Sequence, residues 1–179
     1  MDICRILHVR DKMITTAPAS ADDAPFLFEL FCSTRWDEIS SWGLEPKMAE
    51  QILHMQWRAQ TQAYQQQFPH MKHWIIFADK KKAGRIIVDQ TQNEIHVVDI
   101  SVLPAFRNQG IGTHLLRAWQ REASETEMPL TLSVYASNPA RRLYDRLGFS
   151  VSFTDDLYVW MKWCGENQTC AKEPEKKEV

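Results

Sequence analysis

A glycine-containing loop, Arg107–Gly112, lies between a predicted strand and a predicted helix, and it constrains the fold more than any other stretch. The preceding strand is rich in β-branched residues on both faces, as expected for a buried strand: Val97, Val98, Ile100 and Val102. Pro104 ends the strand because proline has no N–H for the ladder. After the loop, apolar residues recur at helical spacing, at Ile111, Leu115, Leu116, Trp119 and Ala123.

The two glycines of the loop, Gly110 and Gly112, indicate that its backbone binds an anion. Glycine adopts positive φ and lets a ligand approach the backbone closely, so successive N–H groups can point into one concavity. These groups also lie at the positive end of a helix dipole, and Arg107 adds a full charge. The loop is therefore suited to a pyrophosphate.

Two common phosphate-binding motifs do not fit this loop. The P-loop of nucleotide hydrolases needs a longer spacing between its glycines and then Lys and Ser or Thr, which are absent here. A dinucleotide fingerprint needs a third glycine where this chain has Leu115. A protein that binds ATP or NAD through this loop is therefore disfavoured.

A second patterned stretch, Leu132–Phe149, contains a strand followed by a short helix that bears Tyr144. Asn138 suits the N-cap of this helix, Pro139 its first position, and Gly148 the left-handed position after its last turn. We therefore expect the helix to extend from Asn138 to Gly148.

Together the two stretches resemble the GNAT N-acetyltransferases. Arg107, Gly110 and Gly112 match the family's acyl-CoA-binding motif, which follows a strand ending in Val-x-Pro. The second stretch resembles the family's later motif of strand, Asn, tyrosine-bearing helix and Gly-Phe. The resemblance covers residues 95–150. It implies acetyl-CoA as co-substrate and a primary amine of a small molecule or peptide as acceptor.

The resemblance implies an α/β (mixed α+β) GNAT fold. In that fold a single mixed, mostly antiparallel sheet of about seven strands is splayed between its fourth and fifth strands, with helices on both faces. Local patterns predict the same order of elements. The predicted strands lie at residues 13–17, 73–78, 84–89, 94–103, 129–135, 149–153 and 157–163, and the predicted helices at 20–35, 45–68, 138–148 and from 111 onwards. The family's fourth strand carries a bulge, expected here near Ile100–Val102.

The 179 residues are enough for one domain with a substantial core. We expect an N-terminal extension over residues 1–12, the acetyltransferase domain over residues 13–166 and a flexible charged tail over residues 167–179. The formal charge of −2 gives no electrostatic footprint for nucleic acid, and no apolar run is long enough to cross a membrane.

The spacing of the cysteines and the sequence of the N-terminus indicate the cellular compartment. The four cysteines have neither metal-site nor disulfide-framework spacing, and no signal peptide is recognisable. We therefore expect a cytoplasmic protein without a metal. Its oligomeric state stays open between a monomer and a homodimer.

The resemblance also assigns residues to the cofactor. The backbone of Ile100 and Val102 would hold the pantetheine arm, and Asn138 would bond to it. The loop and the helix start would bind the pyrophosphate through Arg107, Asn108, Gln109, Gly110, Ile111, Gly112 and Thr113. Arg141 either reaches a CoA phosphate or stays in solvent.

Transfer of an acetyl group to an amine needs a donor for the leaving thiolate and an acceptor for the amine proton. Tyr144 lies where family members often carry a tyrosine facing the CoA sulfur, and its alternative role is aromatic packing. Glu94, His96 and Asp99 are candidate general bases on the strand before the loop. Asp99 is equally consistent with a structural hydrogen-bond acceptor, since an unpaired buried carboxylate is costly. His96 and Asp99 both stay open.

The acceptor side is expected near the first two helices. By resemblance, Arg35, Glu38 and Trp42 border the acceptor pocket, although Glu38 is also consistent with a solvated acid in a loop. No cysteine lies near either motif, so direct transfer is favoured over an acyl-enzyme. A non-catalytic acyl-CoA-binding sensor or interaction module on the same fold is the alternative.

Overall fold

The structure is a computed structural model that describes residues 7–9 and 12–165. Its strands are β1 (Leu7–Val9), β2 (Lys12–Pro18), β3 (Met71–Ala78), β4 (Lys81–Gln90), β5 (Ile95–Val102), β6 (Leu130–Tyr135), β7 (Ser150–Thr154) and β8 (Tyr158–Trp163). Its helices are α1 (Ala24–Ser41), α2 (Pro46–Gln67), α3 (Ile111–Glu125) and α4 (Arg141–Arg146). The predicted tail at residues 167–179 lies outside the described residues.

These elements form two compact units, and strand β5 contributes to both. The first unit contains the chain up to Asp89 together with Val98–Gly112, and the second contains Gln90–Val97 and the chain from Thr113 onwards. The strand order is β1-β2-β3-β4-β5 in the first unit and β5-β6-β8-β7 in the second. The strands form the mixed sheet implied by the resemblance, with β1 in addition to the seven predicted strands.

Strand β1 lies within the stretch predicted as an N-terminal extension. It pairs antiparallel with β2, from Leu7 opposite Ile14 to Val9 opposite Lys12. The sequence pattern did not reveal β1 because three residues are too few to show an alternating period. Residues 7–9 of the predicted extension are therefore part of the sheet.

Strands β3 and β4 form a hairpin closed by Asp79 and Lys80, which have φ of 49° and 66°. Two-residue hairpin turns favour positive φ because that backbone matches the twist of the flanking strands. The ladder shifts register between Ile76 and Phe77, which places one extra residue, Ala83, on β4.

Helix α1 begins after a turn in which the N–H and hydroxyl of Ser20 donate to Asp23 Oδ2 at 2.8 and 3.0 Å. Hydrogen bonds from Lys82 and from the Ser20 N–H lower the pKa of Asp23 to about 2. The helix was predicted to end near residue 35 but continues to Ser41, before Gly43 at a φ of 63°. Arg35, the predicted last residue of this helix, and Glu38, predicted to lie beyond it, therefore both lie within the helix.

Helix α2 lies where the sequence predicted it, but its buried face differs. Helical spacing predicts one apolar stripe at Met48, Ile52, Met55, Ala59 and Ala63 and a neighbouring one at Trp57, Thr61, Tyr64 and Phe68. Met48 and Met55 are, however, 51% and 65% exposed, whereas Leu53 is 4% exposed. The half-buried residues of the helix follow Leu53 at helical spacing: Ala49, Ile52, Gln56, Trp57, Gln60, Thr61 and Tyr64. The first stripe was therefore wrong at Met48 and Met55, whereas Trp57, Thr61 and Tyr64 of the second stripe lie on the covered face, which also contains two glutamines.

The second unit contains the parallel ladder of the sheet. Strands β5 and β6 pair over three positions, with Ile95, His96 and Val97 opposite Leu130, Thr131 and Leu132. Parallel strands need a crossover connection, which here contains α3. The predicted apolar stripe of α3 is confirmed because all of its members are buried: Ile111, Leu115, Leu116, Trp119 and Ala123.

Helix α4 is shorter than predicted. Asn138 does not cap it, since Asn138 Oδ1 accepts a hydrogen bond from the N–H of Ala140 at 2.9 Å in a turn that precedes the helix. Gly148 has the predicted left-handed backbone, with a φ of 81°. The N–H of Phe149 then donates to the carbonyl of Tyr144 at 3.1 Å, which closes the helix end.

The cysteines differ from the sequence-based expectation. Cys32 is a free, half-buried thiol, whereas Cys164 is disulfide-bonded. Cysteine spacing did not indicate a disulfide, so it gives no support for a cytoplasmic location.

None of the described helices is long and apolar enough to span a membrane.

Candidate functional site

The loop between β5 and α3 has the backbone geometry of an anion site. The Leu103 N–H donates to the carbonyl of Ala83 at 2.8 Å and so anchors the end of the strand. After the 3₁₀ turn Pro104–Phe106, Asn108 and Gly110 take φ values of 60° and 85°. Left-handed residues between ordinary ones bring successive N–H groups to one side of the chain. Here this bend immediately precedes the N-terminus of α3.

Arg107 links the loop to the end of strand β5. Its Nε donates to the carbonyl of Val102 at 2.9 Å, and its Nη2 donates to the carbonyl of Ser33 at 3.4 Å. An arginine has five N–H donors, so with these two engaged three remain for a ligand. The side chain is exposed and can therefore meet solvent or phosphate.

A second cation, Lys12 of β2, lies beside the loop. Its Nζ donates to Gln109 Oε1 at 2.6 Å and is 5.8 Å from the centroid of the Phe106 ring. Gln109 Nε2 in turn donates to the carbonyl of Ala105 at 2.7 Å. The loop therefore has a second cation next to it besides Arg107, and Lys12 was not among the predicted cofactor residues.

Half-buried Asp99 forms an ion pair with buried Arg85. Arg85 Nε donates to Asp99 Oδ2 at 2.5 Å, and the Ser101 hydroxyl lies 3.0 Å from Oδ1 and 3.1 Å from Oδ2. Arg85 is 5% exposed, donates to Gln60 Oε1 at 3.0 Å and lies 5.4 Å from the Trp57 ring centroid. Both carboxylate oxygens of Asp99 therefore have protein partners.

The charges of Arg85 and Asp99 also affect the pKa of His73, which lies on β3. Burial, together with the nearby charge of Arg85, lowers the pKa of His73 to about 4, while Asp99 and Asp23 act in the opposite direction. His73 Nε2 is a buried ring nitrogen without a hydrogen-bond partner. A neutral His73 suits this environment.

Gly84 allows the backbones of β4 and β5 to approach each other. A Cβ at Gly84 would lie 2.2 Å from the carbonyl oxygen of Ser101 and 3.0 Å from Val102 Cα. A side chain is therefore excluded beside the part of β5 that was predicted to hold pantetheine. The bulge expected near Ile100–Val102 stays a prediction.

His96 lies in a different polar cluster, in the second unit. Its Nδ1 is 2.8 Å from Thr131 Oγ1, and the Thr131 hydroxyl donates to Glu94 Oε2 at 3.0 Å. The strand register explains the first distance, because His96 and Thr131 are opposite each other in the parallel ladder. Two of the three predicted base candidates, Glu94 and His96, are thus linked through a threonine.

The residues of the second motif differ in exposure. Tyr144 is 6% exposed, and its ring meets that of Phe149 in a T-shaped arrangement with centroids 5.9 Å apart. Asn138 is exposed, and its carbonyl accepts the N–H of half-buried Arg141 at 3.1 Å. The burial of Tyr144 is consistent with aromatic packing and with a shielded proton donor.

The predicted acceptor residues lie at the end of α1 and beyond it. Arg35 Nη1 and Glu38 Oε2 form an ion pair at 3.3 Å, and the Glu38 side chain is 52% exposed. Trp42 follows the helix and is 48% exposed. The structure brings Arg35 and Glu38 together on one turn of a helix.

Sequence inspection missed three residues that shape these clusters: Arg85, Thr131 and Lys12. Arg85 had a signal that could have been used, since it is a lone charge in the apolar strand Gly84–Val88. Thr131 and Lys12 had none, because their roles depend on strand register and on contacts between distant parts of the chain.

Comparisons with known proteins agree with the architecture. The acetyltransferase PaiA of Thermoplasma acidophilum, solved in complex with coenzyme A, is 18% identical, with a TM-score of 0.64 over 84% of this chain and 98% of that one. An acetyltransferase of Thermus thermophilus is 19% identical, with a TM-score of 0.59 over 89% and 98% of the two chains.

The ribosomal-protein-S18-alanine N-acetyltransferase of Escherichia coli is also 19% identical, with a TM-score of 0.55 over 88% of this chain and 99% of that one. No curated protein sequence is similar enough to count as a match. A sequence model described as the acetyltransferase (GNAT) domain matches residues 44–159. Because this match covers more than half of the chain, the protein belongs to the GNAT acetyltransferase family.

Proposed function

We propose that this protein is an N-acetyltransferase that moves an acetyl group from acetyl-CoA directly to a primary amine of a small molecule or peptide. The observation that carries the proposal is the loop before α3, where Asn108 and Gly110 have positive φ directly ahead of a helix N-terminus. Membership of the GNAT family and the coenzyme A complex of the similar PaiA protein support it.

The pyrophosphate of acetyl-CoA is bound by the backbone of residues 108–113. Helix α3 begins at Ile111, so its first N–H groups have no partner within the helix and are available to an anion. Arg107 uses its remaining donors on the same phosphates while it stays bonded to Val102. Lys12 adds a second cation through its contact with Gln109.

The pantetheine arm lies against the end of β5. The carbonyl of Val102 already accepts from Arg107, so the carbonyl of Ile100 and the N–H of Val102 are the backbone groups proposed for the arm and the thioester. Asn138 and Arg141 are proposed to meet the cofactor from the second motif. The positive φ of Gly148 supports the motif's geometry by closing α4 behind Tyr144.

Acetyl transfer is direct. Burial raises the pKa of the Cys32 thiol, which disfavours the thiolate that an acyl-enzyme would need. Tyr144 is the proposed donor to the leaving thiolate, since it belongs to the family's later motif and its ring is buried. Placing the two reactants side by side supplies the largest share of the rate, up to about 10 kcal/mol in favourable cases.

His96 is the proposed acceptor of the amine proton, rather than Asp99. Protonation of Asp99 would cost buried Arg85 its counterion, whereas Nδ1 of His96 is hydrogen-bonded to a hydroxyl that is itself bonded to a carboxylate. The acceptor amine is proposed to enter near Trp42 and Glu38, whose carboxylate could bind a cationic group.

The direct test combines two measurements on the full chain. Calorimetry should show acetyl-CoA binding, and a thiol-release assay against a panel of amines should show turnover with at least one class. Tyr144→Phe should then lower turnover while cofactor affinity is kept. Binding without turnover on any amine would favour the non-catalytic module, and absence of binding would contradict the proposal.

Gly110→Ala tests the loop, with Gly43→Ala as a matched control. Both glycines have positive φ, 85° and 63°, so alanine adds backbone strain of about 1–2 kcal/mol at either position. A Cβ at Gly43 meets nothing within 4 Å. Only Gly110→Ala should weaken acetyl-CoA binding, about tenfold or more. Equal affinities in the two variants would argue against the loop as the cofactor site.

A further inference from the structure

Glu94, Thr131 and His96 form a continuous chain of hydrogen bonds within the second unit. His96 Nδ1 lies 2.8 Å from Thr131 Oγ1, and Thr131 Oγ1 donates to Glu94 Oε2 at 3.0 Å. Since His96 and Thr131 are opposite residues of the parallel ladder, the sheet itself fixes their spacing. The chain is therefore part of the backbone framework.

The turn before β5 holds Glu94 in place. The Glu94 N–H donates to Thr91 Oγ1 at 3.2 Å, and the Thr91 N–H donates to the Glu94 carbonyl at 3.0 Å. The next residue, Ile95, donates its N–H to the carbonyl of Pro129 at 3.0 Å, which ties the start of β5 to the start of β6. The carboxylate of Glu94 is thus presented to Thr131 by ordered backbone.

The protons available to these two hydrogen bonds determine which ring nitrogen of His96 is protonated. A threonine hydroxyl has one proton, and an ionised carboxylate can only accept. Thr131 therefore donates its proton to Glu94 and must accept from His96. The proton of the neutral His96 ring consequently lies on Nδ1, and the ring lone pair lies on Nε2.

We infer that Glu94 and Thr131 are positioning residues that fix His96 in the Nδ1–H tautomer and so make Nε2 the atom that accepts the amine proton. The tautomer rests on geometry alone, whereas the catalytic consequence rests on the proposed acetyl transfer. Nothing in the chain of bonds rearranges during that step. When Nε2 gains a proton, Nδ1 still donates to Thr131 and Thr131 still donates to Glu94.

The proton balance of the step is complete. The amine nitrogen attacks the thioester carbonyl, the C–N bond forms and the C–S bond breaks. One proton of the amine passes to His96 Nε2, and the CoA thiolate takes one proton from the Tyr144 hydroxyl. Exchange with solvent then returns the proton from His96 and restores that of Tyr144.

Nitrogen NMR of the full-length protein tests the tautomer directly. In a ¹⁵N-labelled sample at a pH where His96 is neutral, the unprotonated ring nitrogen resonates far downfield of the protonated one, and its couplings to the ring protons show which nitrogen it is. The His96→Gln variant identifies the His96 signals among the six histidines. We expect Nδ1 to be protonated and Nε2 to be unprotonated.

Two variants test whether Thr131 and Glu94 cause this state. Thr131→Val removes the acceptor while keeping the shape, and Glu94→Ala frees the Thr131 proton to point at Nδ1. Both should shift the ring towards the Nε2–H tautomer, whereas Thr131→Ser should keep the wild-type spectrum. A wild-type Nε2–H tautomer, or variants with the wild-type spectrum, would overturn the inference.

Kinetics separate this inference from the proposed function. With an amine that the wild type acetylates, Thr131→Val should lower kcat about 10–100-fold at an unchanged KM for acetyl-CoA, and Thr131→Ser should restore it. A wild-type kcat in Thr131→Val would overturn the catalytic part. If the wild type acetylates no amine, the proposed function fails, and the nitrogen spectra still decide the tautomer.

Discussion

Strand β5 carries two polar side chains, His96 and Asp99, whose surroundings differ sharply. Asp99 lies in the first unit, where Arg85 Nε meets one carboxylate oxygen at 2.5 Å and Ser101 meets the other at 3.0 Å. His96 lies in the second unit, where its Nδ1 meets the hydroxyl of Thr131 at 2.8 Å. One residue faces a full opposite charge, and the other faces a neutral hydroxyl.

This difference in surroundings distinguishes His96 from Asp99, which the sequence alone left as equally good candidates for the general base. Asp99 can accept a proton only by giving up its pairing with Arg85, which would leave a buried guanidinium without a counterion. His96 can accept a proton at Nε2 while its existing hydrogen bond persists. We therefore propose a structural role for Asp99 and a catalytic role for His96.

Breaking the ion pair should give the largest effect on stability. Asp99→Ala removes the counterion of Arg85, which is 5% exposed, so the free energy of unfolding should fall by about 3–5 kcal/mol. Urea denaturation measures this loss. The double variant Arg85→Met with Asp99→Leu should recover most of it because no buried charge remains. A loss below about 1 kcal/mol in Asp99→Ala would contradict a structural role.

The acid sensitivity of the first unit should depend on His73. Its pKa is about 4 in the folded protein and 6.5 ordinarily, so between these values the unfolded chain binds more protons. The free energy of unfolding should therefore fall as the pH is lowered from 6.5 to 4, with His73 contributing at most about 3 kcal/mol. His73→Gln should flatten this fall in urea titrations. An unchanged slope would show that His73 titrates normally in the folded protein.

The close approach of β4 to β5 should be sensitive to one added methyl group. In Gly84→Ala the new Cβ would meet the carbonyl of Ser101 at 2.2 Å, so backbone must move. We expect a loss of about 1–3 kcal/mol in the free energy of unfolding, together with a raised KM for acetyl-CoA because Val102 moves with Ser101. Calorimetry and kinetics on the same sample measure both. An unchanged KM would show that this part of β5 does not contact the cofactor.

The smallest stability effect is expected at Glu38. Its ion pair with Arg35 lies within one exposed helix turn, so Glu38→Ala should change the free energy of unfolding by less than about 0.5 kcal/mol. A raised KM for a cationic amine would then come from lost acceptor binding rather than from misfolding. An unchanged KM for every acetylated amine would remove Glu38 from the proposed acceptor site.

Much of the fold was predictable because its signals are local. The stripe of α3 from Ile111 to Ala123, the end of β5 before Pro104 and the left-handed Gly148 all follow from periodicity, proline chemistry and glycine chemistry. The buried face of α2 was less predictable because Gln56 and Gln60 share it with apolar residues.

The polar clusters were harder to predict because they depend on strand register. Nothing in the sequence pairs Arg85 with Asp99 or Thr131 with His96, since each pair joins two strands across a loop or a crossover helix. A shift of register by one residue would turn each side chain to the other face of the sheet. The loop proposed to bind the cofactor, by contrast, is one continuous stretch, so its residues could be proposed from the sequence without knowledge of strand register.

The most direct measurement is kcat for His96→Gln and Asp99→Asn with the best amine of the panel, both variants having been shown to be folded. Loss of a general base should lower kcat about 10²–10⁴-fold in His96→Gln. Asp99→Asn, which keeps hydrogen-bonding groups beside Arg85, should lose less than about tenfold. Near wild-type turnover in His96→Gln together with a large loss in Asp99→Asn would contradict the assignment and return the catalytic role to Asp99.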